Sequence, residues 1–153
     1  MIEAAGVTIR EASQEDALAI RALSKASQDE LGAISQHRHW LTHQIDIGDV
    51  FVAETSEGEL VGFVVFNHNL LTEHEHTTIY YLCIHSTYRR NGIGKRLTRA
   101  VAADARLYGN TRITLKCPAQ LPANHFYQNI GYTLEGSETD QEGDRLNSWT
   151  LSL

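Results

Sequence analysis

Apolar and polar positions along this chain form short blocks that predict seven strands. Runs rich in β-branched, aromatic and aliphatic residues, bounded by Gly, Ser, Asn or Asp, are typical of strands. Ser56 to Glu59 contains Gly58 and separates two such runs, which indicates a hairpin. The predicted strands cover residues 7–10, 50–54, 60–66, 77–84, 112–117, 132–135 and 147–153.

Helical spacing marks the blocks between these strands. Ser13 is a candidate N-cap, and the acidic residues Glu15 and Asp16 fall in the first turn that follows. The apolar face of this first helix is predicted at Ala17, Ile20, Leu23 and Ser24. A second helix is predicted at about 35–47, and a short one carries Tyr127.

The longest predicted helix follows the central strand and ends at Gly109 and Asn110. Its apolar face is predicted at Ile93, Leu97, Val101, Ala105 and Tyr108. The order of elements is therefore β-α-α-β-β-β-α-β-α-β-β.

The most informative stretch lies where the central strand meets this helix. The strand contains Tyr80, Tyr81, Leu82, Cys83 and Ile84, a composition typical of a strand covered on both faces. The sequence RRNGIG follows at 89–94, where glycines let the backbone approach a bulky ligand and the first N–H groups of the helix lack helical partners. We therefore predict an anion site, with phosphate as the expected ligand.

The spacing of this loop excludes two well-known nucleotide loops. It contains neither GxGxxG nor GxxxxGK[ST], the glycine patterns of the dinucleotide fold and of the P-loop. A tight turn without a ligand is the structural alternative. Five basic residues cluster here, and they indicate either a phosphate-facing patch or a solvated helix face. These residues are Arg89, Arg90, Lys95, Arg96 and Arg99.

Bulk properties narrow the class of protein. A chain of 153 residues is expected to form one domain with one core. No apolar run approaches the ~20 residues of a membrane span, and Met1, Ile2 and Glu3 do not begin a secretion signal. We therefore expect a soluble cytoplasmic protein that does not bind membranes.

Charge and cysteine content exclude further classes. The net charge of −6 and the pI near 5.7 argue against a nucleic-acid binder and are compatible with a cationic amine substrate. Cys83 and Cys117 lie in predicted strands without zinc spacing, so buried, reduced thiols are expected and no metal site is predicted from them.

A second motif follows about 30 residues after the glycine loop. The sequence ANHFYQNIGY at 123–132 predicts a short helix with Pro122 at its start and Gly131 just past its end. Taken alone, Phe126 and Tyr127 would be interpreted as core aromatics.

The two motifs together resemble those of the GNAT superfamily of acyl-CoA-dependent N-acetyltransferases, [QR]-x-x-G-x-[GA] and A-x-x-F-Y-x-x-x-G-[FY], in the same order. The resemblance covers the whole chain, 1–153, as a single domain. It implies an α/β fold (α+β in some schemes) with a central, mixed, mostly antiparallel sheet, a splayed parallel strand pair and flanking helices. It also implies acetyl-CoA as cosubstrate and no metal.

The resemblance assigns residues to the cofactor. Backbone groups of Leu82, Cys83 and Ile84 would bind the pantetheine arm, and the Leu82 N–H would polarise the thioester carbonyl. Arg89 would hold the loop or a phosphate, and Asn124 would add a side-chain contact to CoA. The pyrophosphate would be held by the N–H groups of Arg90, Asn91, Gly92, Ile93, Gly94 and Lys95.

For catalysis, the resemblance points to direct attack of an amine on the thioester, with Tyr127 as general acid toward the thiolate. A phenol with a pKa of about 10 is protonated at neutral pH and suits that role. Thr78 and Tyr80 occupy positions where some members carry a base, and neither is one near neutral pH, so the base is unassigned. Candidates that could act through water are Glu73, His74, Glu75 and His76.

Several features stay open. The segment 71–76 is either a polar loop or, less favoured, a metal-binding strand, and Gln120 replaces the asparagine of many members. The amine acceptor, a small molecule or a peptide, is not determined, and the histidines and Trp40 of the second helix form either an acceptor site or a packing face. Residues placed near the acceptor by the resemblance are His37, Arg38, His39, Trp40, His43, Tyr80 and Trp149.

Two alternatives concern the whole protein. The final strand carries Trp149, Leu151 and Leu153 on one face, which indicates either a homodimer interface or cover for the domain's own core. The leading function is an acetyl-CoA-dependent N-acetyltransferase. A non-catalytic acyl-CoA-binding or regulatory module of the same fold is the alternative.

Overall fold

The protein is described by a computed structural model that covers residues 6–26, 38–69 and 75–153. The strands are β1 Val7–Glu11, β2 Val50–Thr55, β3 Leu60–Asn67, β4 His76–Ile84, β5 Arg112–Pro118, β6 Thr133–Thr139 and β7 Arg145–Ser152. The α-helices in these ranges are α1 Ala17–Ala26, α2 Arg38–Asp46, α3 Ile93–Leu107 and α4 Ala123–Asn129. The predicted order of elements is confirmed, although the predicted start of the second helix lies outside the described residues.

The strands form one seven-stranded sheet in the order β1-β2-β3-β4-β5-β7-β6. The pairs β1–β2, β2–β3, β5–β7 and β6–β7 are antiparallel, whereas β4 and β5 are parallel. A mixed sheet with one parallel pair, flanked by helices, is the fold that the sequence predicts, and the prediction is confirmed.

Two compact, interleaved units make up the chain. The first consists of Met1–Asn67 and Tyr81–Val101, and the second of His68–Tyr80 and Ala102–Leu153. The division therefore falls inside β4, and neither unit is one continuous stretch of sequence. That the chain acts as a single domain stays a prediction.

The core of the first unit is built from the apolar faces of α1, α2 and the strands β2 to β4. Its buried members are Ala12, Ile20, Leu23, Leu41, Ile45, Val50, Val52, Phe63, Val65 and Cys83. A 3-10 turn at Gln14–Asp16 leads into α1 and is capped by Ser13, whose backbone N–H donates to the Asp16 carboxylate at 2.8 Å. Arg10 pairs with Asp16 and Glu54 beside this turn.

A close packing contact in the first unit depends on Gly62 of β3. A Cβ atom at this position would lie 3.0 Å from Ile84 Cδ1, 3.2 Å from the Cys83 carbonyl oxygen and 3.3 Å from Leu97 Cδ1. Such distances are shorter than ordinary van der Waals contact, so a larger residue at this position would force its neighbours to shift by a few tenths of an ångström.

Helix α3 buries Ile93, Leu97, Val101 and Ala105, as the periodicity predicts. Tyr108 was predicted on the same face, and this prediction is wrong, because its side chain is 53% exposed. The helix has already ended: Gly109 has φ +82°, and the Asn110 N–H donates to the Ala105 carbonyl at 3.0 Å. Tyr108 thus lies in the last turn, next to this left-handed glycine cap, where its side chain stays largely open to solvent.

In the second unit, β7 pairs with β5 on one side and with β6 on the other. Ile113, Leu115, Cys117 and Trp149 are buried, whereas every residue of β6 is exposed. The edge strand is therefore held by its backbone pairing with β7. In the part of the chain that the structure describes, no helix is both long and apolar enough to cross a membrane.

Candidate active site

The parallel pairing of β4 with β5 ends early. Four residue pairs are aligned, from His76 with Arg112 to Ile79 with Leu115, although β4 continues to Ile84 and β5 to Pro118. The aligned parallel pairing therefore stops just before Tyr80. The resemblance puts the pantetheine arm farther along β4, at Leu82 to Ile84.

The strand β4 is covered less completely than its composition predicts. Thr77, Ile79 and Cys83 are buried, whereas Leu82 and Ile84 are half-buried and Tyr80 is 47% exposed. Cover on both faces was expected, and at Tyr80 that expectation is wrong. An apolar strand with one open face is compatible with a ligand that covers it.

The glycine loop follows β4 through the short 3-10 turn Ser86–Tyr88. Arg90 has φ +66° and Gly92 has φ +78°, so two of three consecutive residues adopt the left-handed region. Arg89 donates from Nε to the Ile84 carbonyl at 3.3 Å, which supports its predicted role of holding the loop. The Asn91 amide donates to the carbonyl oxygens of Tyr88 and Arg89, each at 3.2 Å.

Helix α3 begins directly after this loop and leaves backbone donors at its start. Its first hydrogen bond runs from the Arg96 N–H to the Gly92 carbonyl at 3.0 Å. The N–H groups of Ile93, Gly94 and Lys95 precede that bond and have no acceptor within the helix. A Cβ atom on Gly92 would meet nothing within 4 Å, so the space beside this backbone is open.

Charge and packing around the loop suit an anion. Arg89, Arg90, Lys95 and Arg99 are exposed and Arg96 is half-buried, so they form a local positive region on a protein of net charge −6. Ile93 and Leu97, both buried, anchor the helix start in place. The loop thus combines fixed donors, open space and positive charge, which is what a pyrophosphate group requires.

The second motif forms α4, with Pro122 at its N-cap and Gly131 at φ +101° past its end, as predicted. Tyr127 is buried, and its ring lies 5.3 Å from that of Phe126 and 5.6 Å from that of Tyr132 between centroids. Burial raises the pKa of the Tyr127 phenol, and the neighbouring Cys117 and Tyr132 raise it further. Tyr127 is therefore protonated throughout the neutral range.

Cys117 of β5 and Tyr132 complete this buried group. Burial raises the pKa of the Cys117 thiol to about 11, and burial also raises the pKa of Tyr132. Cys117 is consequently a neutral thiol and a poor nucleophile near pH 7. The buried, reduced state expected for Cys83 and Cys117 agrees with their burial, and neither forms a disulfide.

Asn124 on α4 has a different role from the one predicted. Its Nδ2 donates to the carbonyl oxygens of Pro118 and Leu121 at 2.9 and 2.8 Å. Its Oδ1 accepts from Asn147 Nδ2 at 3.1 Å and from Trp149 Nε1 at 2.9 Å. Both donors and both acceptor positions are used within the protein, so the predicted side-chain contact to CoA gains no support. Instead, Asn124 attaches the Tyr127 helix to the ends of β5 and β7.

Two of the four candidate bases, Glu75 and His76, lie among the residues that the structure describes. Glu73 and His74, with most of the segment proposed as an alternative metal site, lie outside the described residues. Glu75 is exposed and His76 is half-buried. Thr78 accepts a hydrogen bond from Asn69 Nδ2 at 3.0 Å, which fits a structural hydroxyl. The base therefore stays unassigned.

A buried polar network in the second unit was not predicted from the sequence. His68 contacts Thr77 Oγ1 through Nδ1 at 2.8 Å and Asp104 Oδ2 through Nε2 at 2.7 Å. Asn110 donates to Thr77 Oγ1 and to the His68 carbonyl, both at 2.8 Å, and Tyr108 stacks on the imidazole. Polar residues at strand and helix ends carry no periodic signal, so only their assembly in the fold makes them visible.

The acceptor candidates are only partly brought together. His37 and the Arg38 side chain lie outside the described part of the structure, while His39 and His43 are exposed. Trp40 makes an edge contact with Tyr81 at 5.9 Å, next to the first-unit core. The buried face of α2 is formed by Leu41, Gln44 and Ile45, so His39 and His43 do not serve core packing.

The two interpretations of the final strand can be weighed at Trp149. Its side chain is buried and its indole nitrogen donates to Asn124, while Leu151 Cδ1 lies 3.9 Å from the position of a Cβ on Gly131. These contacts favour cover for the domain's own core. A homodimer through this strand stays a prediction.

Comparison with known proteins decides the family. Residues 17–132 match the family described as Acetyltransferase (GNAT) family. The chain is a member of the GNAT family. Members of this family are acetyl-CoA-dependent acetyltransferases. The matched span contains the glycine loop and α4, and it ends at Tyr132.

Solved structures show the same GNAT fold at low sequence identity. Ard1 from Thermoplasma volcanium is 19% identical with a TM-score of 0.81, and the match covers 97% of this chain and 98% of Ard1. YncA from Salmonella typhimurium, solved with its cofactor acetyl-CoA, is 19% identical with a TM-score of 0.75, covering 96% and 94%.

A third structure contains the fold as part of a longer chain. N-acetylglutamate synthase from Neisseria gonorrhoeae, complexed with coenzyme A and N-acetylglutamate, is 19% identical with a TM-score of 0.76. The match covers 96% of this chain and 35% of the synthase. No sequence match was found among curated proteins.

Proposed function

We propose that this protein transfers the acetyl group of acetyl-CoA to a primary amine, by direct attack of the amine in a ternary complex. The observation that carries the proposal is the loop at 89–95. Two left-handed residues, Arg90 and Gly92, open α3 with backbone donors, open space and exposed arginines. Family membership and the relatives solved with CoA or acetyl-CoA support the same cosubstrate.

On this proposal the glycine loop and the end of β4 bind most of the cosubstrate. The N–H groups of Arg90 through Lys95 hold the pyrophosphate, with Arg89 fixing the loop. Backbone groups of Leu82, Cys83 and Ile84 hold the pantetheine arm. The N–H of Leu82 stabilises the negative charge that develops on the thioester oxygen as the amine attacks.

The proton comes from Tyr127 on α4. The amine nitrogen forms a bond to the thioester carbonyl carbon, the carbon–sulfur bond breaks, and the departing thiolate takes a proton from the Tyr127 hydroxyl. The nitrogen loses its own proton to solvent, through water near Glu75 or His76. Tyr127 is protonated at neutral pH, as a general acid must be, but burial raises its pKa, so donation of the proton needs a group that stabilises the resulting phenolate.

The alternative, a binding module without turnover, is favoured by one observation. Thr78, at a position where a base would be expected, holds Asn69 instead. The proposed acceptor is any primary amine, so small amines, amino acids and peptides are all substrates to be tested. We further propose a cytoplasmic location, where acetyl-CoA is available.

The test is release of CoA thiol from acetyl-CoA in the presence of a panel of primary amines. The panel contains small amines, polyamines, aminoalkylphosphonates, amino acids and peptides with a free N-terminus or lysine. Amine-dependent thiol release and an acetylated amine of the expected mass support the enzyme. CoA binding by calorimetry without thiol release for any amine would instead support the binding module.

A further inference from the structure

The buried hydroxyl of Tyr132 is not explained by packing. The side chain is 4% exposed, and its Oη is fully buried without a hydrogen-bond partner among the described residues. Phenylalanine would fill the same space without this polar atom. A buried hydroxyl that lacks a partner destabilises the folded state, so its presence calls for another role.

Tyr132 is held against Tyr127 by both backbone and side chain. Its N–H donates to the Tyr127 carbonyl at 3.0 Å, and the left-handed Gly131 makes this return of the chain possible. The two rings are tilted by 60° with centroids 5.6 Å apart. In the described surroundings Cys117 is the other ionisable group that acts on Tyr127, and it is neutral near pH 7.

We infer that Tyr132 is a positioning residue for the acid Tyr127: its hydroxyl, which has no partner among the described residues of the resting protein, donates a hydrogen bond to the Tyr127 oxygen once that oxygen loses its proton. The inference rests on the proposed acetyl transfer, which it deepens.

The need for such a donor follows from burial. When the proton passes from the Tyr127 oxygen to the CoA sulfur, a negative charge develops on a phenolate that is buried and poorly solvated. In the described part of the chain, the ionisable groups that act on the Tyr127 phenol are Cys117 and Tyr132, and both are neutral near pH 7. A neutral donor close to the oxygen lowers the cost of that charge without ionising the resting enzyme. The proton is later restored to Tyr127 from solvent.

The experiment is a double-mutant cycle with Tyr127→Phe, Tyr132→Phe and the double variant, measured with an amine that the wild type acetylates. Tyr132→Phe should lower kcat by about 10- to 100-fold, the range for a hydrogen bond to a charged group, and leave both KM values unchanged. In the Tyr127→Phe background it should cause no further loss, because the oxygen that it serves is gone. Tyr108→Phe is the matched control, because it also removes one tyrosine hydroxyl, but from a side chain that is 53% exposed.

Thermal unfolding provides a readout besides activity. Tyr132→Phe should melt at or above the wild-type temperature, because it removes an unpartnered polar atom. A lower melting temperature would show that the hydroxyl has a partner in the folded chain and would overturn the inference at its premise. Wild-type kcat in Tyr132→Phe, or an equal loss in both backgrounds, would also overturn it. If the wild type acetylates no amine at all, the proposed function fails and the inference fails with it.

Discussion

The glycine loop at 89–95 and the helix Ala123–Asn129 offer their chemistry in opposite ways. The loop is exposed and positively charged, and its donors are backbone N–H groups fixed by two left-handed residues. The helix offers one phenol, Tyr127, buried among neutral side chains. A site made of backbone depends on local conformation, whereas a site made of a buried side chain depends on partners from distant parts of the chain.

The largest expected effect is at the loop. Gly92→Glu should reduce CoA affinity below detection, because it puts a carboxylate beside the phosphate donors and forces a non-glycine residue to φ +78°. Gly58→Glu is the matched control, since Gly58 has φ +85° and open space around its Cβ position but lies in the β2–β3 turn. Calorimetry compares the two variants, and equal CoA affinity for folded Gly92→Glu and wild type would remove the loop from the cofactor site.

The next effect is at the buried phenol. Tyr127→Phe should leave CoA affinity nearly unchanged and lower kcat by about 10²–10⁴-fold, the usual cost of losing a general acid. The loss should be larger near pH 7 than near pH 9, since a thiol with a pKa of about 8.5 needs less help to leave as thiolate at the higher pH. Steady-state kinetics with an identified amine measures both values. A wild-type rate would make Tyr127 a packing aromatic.

A smaller effect is expected on the free energy of unfolding, and it should show that Asn124 has a structural role in the Tyr127 helix. Asn124→Ala leaves Trp149 Nε1 and Asn147 Nδ2 without their acceptor, and should lower the free energy of unfolding by about 2–4 kcal/mol. Asn129→Ala, at the exposed end of the same helix, is the control and should change it by less than about 0.5 kcal/mol. Urea unfolding measures the difference, and similar values for the two variants would contradict the role assigned to Asn124.

The smallest expected effect is on how the free energy of unfolding depends on pH. It comes from the buried group Cys117, Tyr127 and Tyr132. The folded pKa of Cys117 is raised from 9.0 to about 11, so its contribution to stability is complete below about pH 9 and is lost as the pH rises toward 11. The raised pKa values of Tyr127 and Tyr132 act in the same direction at higher pH. Cys117→Ala should flatten the fall in unfolding free energy above pH 9 by at most about 3 kcal/mol. An unchanged slope would mean that Cys117 ionises freely in the folded chain.

The same contrast explains how much could be predicted from the sequence. The order of elements, the caps at Ser13, Gly109 and Gly131, and the position of the glycine loop between β4 and α3 all depend on local chemistry, and the structure confirms them. Two errors, at Tyr108 and Tyr80, arose because apolar spacing continued past the point where a cap or an open sheet face changed the environment.

The side-chain clusters could not be predicted in this way. Asn124 meets partners from β5 and β7, and His68 meets Thr77 and Asp104, across separations of up to 36 residues. A lone Asn or His in a sequence does not show which carbonyl or carboxylate it will meet. The roles of Leu82, Tyr127 and the loop residues toward acetyl-CoA stay predictions until the binding and kinetic experiments are made.

Gly62 has a consequence for how this chain can diverge. Because a Cβ there would press on Ile84, Leu97 and the Cys83 carbonyl, a larger residue at 62 forces these neighbours to shift by a few tenths of an ångström, and a smaller side chain at 84 or 97 relieves part of that strain. Among natural descendants of this sequence, we expect alanine or serine at 62 to occur together with valine or alanine at 84 or 97. Such paired substitutions would reveal, from related sequences alone, a contact that one sequence does not show.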